Sequence, residues 1–164
     1  MRQEYEDRIQ RAVEFFKEGY NCSQAVFLAF SDIYGLDVDT SKRLSAGFGG
    51  GVGRMRMMCG AVSGMVMLAG LETGQTEGTD SKGKAQCYQE VQDMVNLFKD
   101  RNGSVICAEL LAMNGCKVVA DTNIPDTRNA EYYKKRPCAQ KVASAARIFA
   151  EFLETKNTIA SDKQ

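Results

Sequence analysis

The chain of 164 residues contains no histidine. That single absence removes Ser–His and Cys–His nucleophile pairs, imidazole general bases and imidazole metal ligands. Any chemistry must then come from thiols, carboxylates, lysines, tyrosines or a bound cofactor. Tryptophan is also missing, and there are only two prolines. Scarce proline together with long periodic runs of apolar residues favours an all-helical chain. Neither sign of charge is in excess, with 21 basic and 21 acidic residues, so nothing in the balance points to a nucleic acid, a membrane surface or a polyanionic substrate. Long hydrophobic runs are lacking too. The longest, Cys59 to Leu71, is about half of what a membrane-spanning helix needs, which argues against direct membrane insertion. The N-terminus "MRQEYEDRIQ" is too acidic and polar for a signal peptide, and a cytoplasmic location is expected. Length alone predicts one domain, residues 1–155, followed by a frayed tail over 156–164.

What the chain does have is six cysteines and fifteen glycines. In a reducing compartment six cysteines do not form a structural disulfide framework. They are inert, redox-active or metal-bound.

Apolar periodicity and capping signals predict an all-α bundle of about five to six helices, with a glycine-rich loop before a central small-residue helix. Tyr5, Ile9, Ala12, Val13 and Phe16 mark a first helix ended by Gly19. Asn21, with Gln24 in the capping-box position, starts a second that runs to about Tyr34 and stops at Gly35. Asp39 or Thr40 is placed to cap a short helix to Ala46. A helix from about Met58 to Leu71 follows the glycines, and Lys84 to Arg101 is a longer amphipathic one. Ser104 is read as the cap of a helix through Met113. Residues Asn114 to Lys135 read as irregular connection, and Pro137 suits the first turn of a last helix to about Glu154.

On that map four cysteines fall at four helix starts: Cys22 after Asn21, Cys59 after the glycine loop, Cys107 after Ser104, and Cys138 after Pro137. A thiol there feels the positive end of the helix dipole and unpaired amide donors, both of which favour thiolate. Periodicity turns them inward, Cys22 with Val26, Ala29 and Ile33, Cys107 with Leu110 and Leu111, and Cys138 with Val142, Ala145 and Phe149. They are therefore expected to converge at one pole of the bundle. The plainer reading stands beside this one: free cysteine is among the most commonly buried residues and packs as a small hydrophobe. It is the better reading for Cys87, mid-helix on a core stripe, and for Cys116 in a loop.

The stretch "GFGGGVGRMRMMCGAVSG" surrounds Cys59 with backbone freedom. Gly49, Gly50 and Gly51 let the chain approach a ligand, and Gly60 and Gly64 leave one helix face nearly bare for a neighbouring helix or a flat cofactor. Arg54 and Arg56 stand close enough in sequence to stabilise a Cys59 thiolate or an anionic group. The alternative is tight helix packing beside a flexible loop.

Other motifs fail. The glycine segment lacks the Lys-Ser or Lys-Thr of a P-loop, and valine stands where G-x-G-x-x-G needs its third glycine. "DVDTS" sits between helices as a cap, with no buried strand before it. "RNAEYYKKRP" is one short basic and aromatic cluster, read as a solvated loop. There is no C-x-x-C.

Four ordered pieces, "NCSQAV", "GFGGGVGRMRMMCGAVSGMVMLAG", "GSVICAELL" and "PCAQKVASAA", resemble the redox-active protein family named for its Cys…Cys-Gly-Ala-x-x-Gly…Cys…Cys signature (C_GCAxxG_C_C). The resemblance spans roughly Tyr20 to Leu153. It maps the signature onto Cys22, Cys59, Cys107 and Cys138 and leaves Cys87 and Cys116 without a counterpart. The third motif departs from the family's Leu-Leu-Gly, reading Leu110-Leu111-Ala112 here. The resemblance implies a small helical protein whose redox role is inferred from its cysteines, and whose relatives are often encoded beside transporters.

Two chemical readings and one bland one follow. The first is thiol–disulfide exchange with an external dithiol or electron carrier, needing no cofactor, with Cys59 the leading nucleophile, Cys22 its partner, and Cys107 and Cys138 a second pair or resolving thiols. The second is an iron–sulfur cluster or zinc held by the same four cysteines. The third is a helical interaction module with inert thiols, serving a transporter.

Overall fold

The computed structural model describes residues 1–161. It is all-α: eight α-helices and one 3-10 turn, with no strand among the described residues beyond a lone bridge between Met58 and Ile106. The helices are α1 (Gln3–Lys17), α2 (Cys22–Leu28), α3 (Val38–Ala46), α4 (Gly60–Thr73), α5 (Ser81–Asn102), α6 (Cys107–Met113), α7 (Ala130–Lys135) and α8 (Cys138–Ser161).

Helix α4 is apolar on every side, so it belongs in the middle of the bundle. Its residues from Gly60 to Met65, with Leu68 and Ala69, are buried. Helices α2, α5 and α8 pack around it, and α1 lies along α2 and α8. The core is aromatic and aliphatic. Phe16, Phe27, Phe30, Phe98, Phe149, Met65 and Leu68 are fully buried, and the Phe30 and Phe149 rings meet edge to face with centroids 5.2 Å apart, the arrangement that aromatic quadrupoles favour.

The predicted caps hold at α2. Asn21 accepts from the Gln24 amide while Gln24 returns a bond to the Asn21 amide, a complete capping box. Elsewhere the ends differ. Asp37, not Asp39 or Thr40, caps α3 by accepting from the Thr40 amide at 2.9 Å. Helix α2 ends at Leu28, because Phe30 leaves the helical region at φ −134°. A 3-10 turn (Ser31–Tyr34) follows, tied down by Arg8 donating to the Ala29 carbonyl and to Asp32. The break shifts the phase of the stripe, and Ile33 emerges 44% exposed instead of inward. Ser104 lies two residues before the Ile106 cap position. Its hydroxyl accepts from the Ile106 amide and donates to Glu109, fixing the approach to α6 without capping it.

The segment read as irregular contains α7, capped by Asn129 accepting from the Tyr132 amide. The tail does not fray where expected, since α8 stays helical through Ser161. Asn157 donates to the Tyr5 hydroxyl and Lys156 pairs with Glu90, giving these turns tertiary contacts. The rest of the tail, 162–164, lies outside the described residues. No helix among the described residues is long and apolar enough to cross a membrane.

Candidate functional site

Cys22, Cys107 and Cys138 are the first residues of α2, α6 and α8, and Cys59 is the N-cap of α4. All four line one cavity of about 430 Å³. Cys87 and Cys116 do not. Cys116 instead donates its thiol to the Lys135 carbonyl at 3.4 Å.

Close packing produces the convergence. A methyl group at Gly60 would stand 2.5 Å from the Cys22 sulfur and 2.9 Å from the Phe48 carbonyl, and one at Gly64 would stand 2.8 Å from the Ser23 carbonyl. The bare face of α4 is therefore covered by α2, not by a flat cofactor. A methyl group at Gly51 would lie 2.7 Å from the Cys107 Cβ. Of the glycines and arginine proposed from the sequence to hold a ligand, Gly49, Gly50, Arg54 and Gly60 line the cavity. Gly51 and Gly64 are taken up in packing outside its lining.

The glycine loop is a left-handed turn. Gly50, Gly51, Val52, Gly53 and Arg54 all have φ between +55° and +73°, and Arg56 follows at +61°. Each non-glycine residue there costs about 1–2 kcal/mol, and such strain clusters at functional sites. The turn closes with Gly53 donating to the Gly47 carbonyl and Met57 to the Gly51 carbonyl. Its exit is stitched to the start of α6: Cys59 donates to the Val105 carbonyl at 2.8 Å, Cys107 to Met57 at 2.6 Å and Ala108 to Arg56 at 3.2 Å.

Burial corrects the expectation that the helix starts at Cys59, Cys107 and Cys138 favour thiolate. At α6 the first amides are also spent on loop carbonyls, whereas at α4 the Ala61 and Val62 amides still favour the Cys59 thiolate and are outweighed. Burial pushes the Cys59 thiol well above the ordinary thiol range, with the neighbouring Cys22 adding to it. Burial likewise raises Cys138, up to about 12, helped by Cys22 and Cys107. Cys107 is also raised by burial, but Arg56 opposes the shift. In the reduced state these three thiols are neutral at physiological pH.

The arginines also serve a different thiol from the one expected. Arg56, 7% exposed, donates through Nη1 to the Cys107 sulfur at 3.8 Å, the longest of its contacts, and through Nε to the Val119 carbonyl at 3.0 Å. Arg54 donates to the Val119 and Thr122 carbonyls. Both, with Arg136, converge on Asp126 at 3.0, 3.4 and 2.9 Å. Burial tends to raise the Asp126 carboxyl, yet Arg136, Arg54 and Arg56 together hold it below its ordinary value. These bonds draw the strap of residues 117–129 across the cavity.

Sequence reasoning missed the rest of the lining. Arg128, Tyr132 and Arg136 all face the cavity, together with Asp126, Lys141 and Phe16. Arg128 stacks over the Phe16 and Tyr132 rings at 4.3 and 4.8 Å. The signal was the four-residue spacing of Arg128, Tyr132 and Arg136 just ahead of Cys138, inside the cluster read as a solvated loop.

Among the described residues, no three cysteine, aspartate, glutamate or histidine side chains are arranged so that they could hold a metal ion. Cys22 and Cys107 are near enough to the other cavity thiols to disfavour their charge. The ligand set for an iron–sulfur cluster or zinc is thus not assembled in this arrangement, and no step is derived through either.

A family model described as "Putative redox-active protein (C_GCAxxG_C_C)" matches residues 20–152. The chain belongs to this family. The redox-active family's label spells its central motif Gly-Cys-Ala-x-x-Gly, whereas here the cysteine comes first, as Cys59-Gly60-Ala61. Gly60 in that position is what admits the Cys22 sulfur. An uncharacterized protein of Archaeoglobus fulgidus is 23% identical over 163 residues, 95% of this chain and 99% of that protein. No solved structure matches the chain.

Proposed function

We propose that this member of the redox-active family works by thiol–disulfide exchange, through the four cysteines that line one cavity. Their convergence from four separate helices is the observation that carries the reading, since inert thiols have no reason to share a wall while Cys87 and Cys116 lie elsewhere. Cys22 and Cys107 are the central couple, because these two bear on the charge of the other thiols. Cys107 attacks first. Arg56 donates a hydrogen bond to its sulfur, so the site supports its thiolate once the proton leaves. Cys22 then displaces the mixed disulfide, and Cys59 and Cys138, more deeply disfavoured as thiolates, serve as the second pair. This assignment moves the first nucleophile from Cys59 to Cys107, the thiol that Arg56 reaches.

The test is anaerobic differential alkylation with mass spectrometry while the glutathione poise is stepped from reducing to oxidising. Reversible protection of Cys22, Cys59, Cys107 and Cys138 in pairs, with Cys87 and Cys116 unresponsive, is the expected result. Constant labelling of the four at every poise would contradict it.

A further inference from the structure

The whole chain is electrically balanced, but the cavity is not. Five cationic side chains, Arg54, Arg56, Arg128, Arg136 and Lys141, line it against one carboxylate, Asp126. Cys59, Cys107 and Cys138, held neutral by burial, do not supply the missing negative charge, and a disulfide carries none. Two of the cations have no carboxylate partner among the described residues: Arg128 donates to the Phe16 and Tyr20 carbonyls, and Lys141 to the Asn102 amide oxygen at 3.1 Å. The Arg54 Nε is buried with no hydrogen-bond partner. A buried polar hydrogen left without an acceptor is costly, and this one belongs to a residue of the cavity wall, where an acceptor from outside can reach it. The rest of the wall is apolar, with Phe16, Tyr132, Leu110 and Leu111. A volume of about 430 Å³ lies in the range of small-molecule sites. Such a wall suits an organic body carrying negative charge better than an inorganic ion.

We propose that the substrate of the cavity is a small organic disulfide bearing carboxylate groups, held by Arg128, Lys141 and Arg54 with its sulfur–sulfur bond at Cys107. The inference rests on the thiol–disulfide reading above. The carboxylate-to-guanidinium geometry already appears once in the site, where Asp126 meets three arginines. In the reaction, the Cys107 thiolate attacks one substrate sulfur, the substrate bond breaks, and the first half leaves as a thiolate that takes up a proton. The Cys22 thiolate then attacks the Cys107 sulfur of the mixed disulfide, forming the Cys22–Cys107 bond and releasing the second half. The substrate gains two electrons and becomes two thiols, and the protein loses two electrons. The protons come from the two cysteines.

Two arms separate this inference from the reading beneath it. Binding is measured calorimetrically on the reduced full chain with 3,3′-thiodipropionate, an unreactive thioether diacid, with its dimethyl ester and with inorganic phosphate. Oxidation of the cavity cysteines is then followed with 3,3′-dithiodipropionate and its dimethyl ester. The diacid should bind about tenfold or more tightly than the diester or phosphate, lose affinity with added salt, and weaken several-fold in Lys141→Met. The disulfide diacid should oxidise Cys22 and Cys107 faster than its ester by a similar factor. Equal binding or equal oxidation by diacid and diester, or phosphate binding as tightly as the diacid, overturns the inference and leaves thiol–disulfide exchange standing. Tight diacid binding without oxidation by either disulfide overturns the exchange reading, and the substrate class with it.

Discussion

The same helices build two very different regions. Toward the middle of the bundle, α2, α4 and α8 contribute Val26, Leu68 and Phe149 to a core in which the aromatic rings meet in ordinary geometry. At their N-terminal ends the same helices contribute Cys22, Cys59 and Cys138 to a cavity with left-handed backbone, buried guanidinium groups and an unsatisfied nitrogen. Left-handed non-glycine backbone is confined, among the described residues, to the cavity end, at Val52, Arg54 and Arg56; unsatisfied polar atoms occur in both regions, at Arg54 Nε on the cavity wall and at Ser23 Oγ among the packed helices. Proteins retain such strain at functional sites and offset it with stability elsewhere. Strain and unmatched charge are concentrated at the end where we propose the thiol chemistry.

The comparison can be sharpened by four changes. The largest effect belongs to the core: Phe149→Ala should cost about 3–5 kcal/mol in urea denaturation, while the alkylation pattern of the cavity cysteines in the folded protein stays as in the parent chain. A change in that pattern would mean the two regions are not separable. Next is Gly60→Ala, which drives a methyl group toward the Cys22 sulfur and the Phe48 carbonyl. It should cost about 1–3 kcal/mol and, unlike the core variant, alter the reactivity of Cys22. Wild-type reactivity at Cys22 would show that Gly60 does not set the thiol's position.

The third change concerns acid. Asp126 has a lowered carboxyl pKa in the folded chain, so its contribution is present above the ordinary carboxylate value of about 4 and is lost as pH falls through the folded value. Asp126→Asn should be the less stable protein at neutral pH, and the gap should close as pH falls below about 4. A gap that stays constant with pH would contradict the ion-pair account of the strap. The smallest effect is expected at Val52, a β-branched residue at φ +65°. Val52→Gly should raise stability by roughly 0.5–1 kcal/mol, and a loss on thermal denaturation would mean the side chain's packing outweighs the strain.

Much of this was legible beforehand, and the reasons are specific. The Asn21–Gln24 capping box, the α8 stripe from Cys138 to Phe149 and the grouping of four cysteines all rest on local spacing, which a sequence displays directly. What stayed hidden depends on distant partners. Nothing in their residue types marks Val52, Arg54 and Arg56 as left-handed: hydrogen bonds within the turn and to α6, with the ties from Arg54 and Arg56 to Val119, Thr122 and Asp126, hold them there. The thiol protonation states escape the sequence because helix position and an inward face are visible there, whereas how far burial outweighs the helix dipole is not. Arg128, Tyr132 and Arg136 read as solvent-facing because Arg128 and Tyr132 take their place from Phe16, over a hundred residues away in sequence, while Arg136 joins them through Asp126 and the Tyr132 ring.

The central claim is that the cavity thiols form a reversible couple. The most direct measurement is disulfide mapping by peptide mass spectrometry after one-equivalent anaerobic oxidation and rapid acid quench. The account predicts a Cys22–Cys107 linkage as the first product, fully reversed by dithiothreitol, with Cys87 and Cys116 recovered as free thiols. First linkages through Cys87 or Cys116, or no intramolecular disulfide among the cavity cysteines, would contradict it.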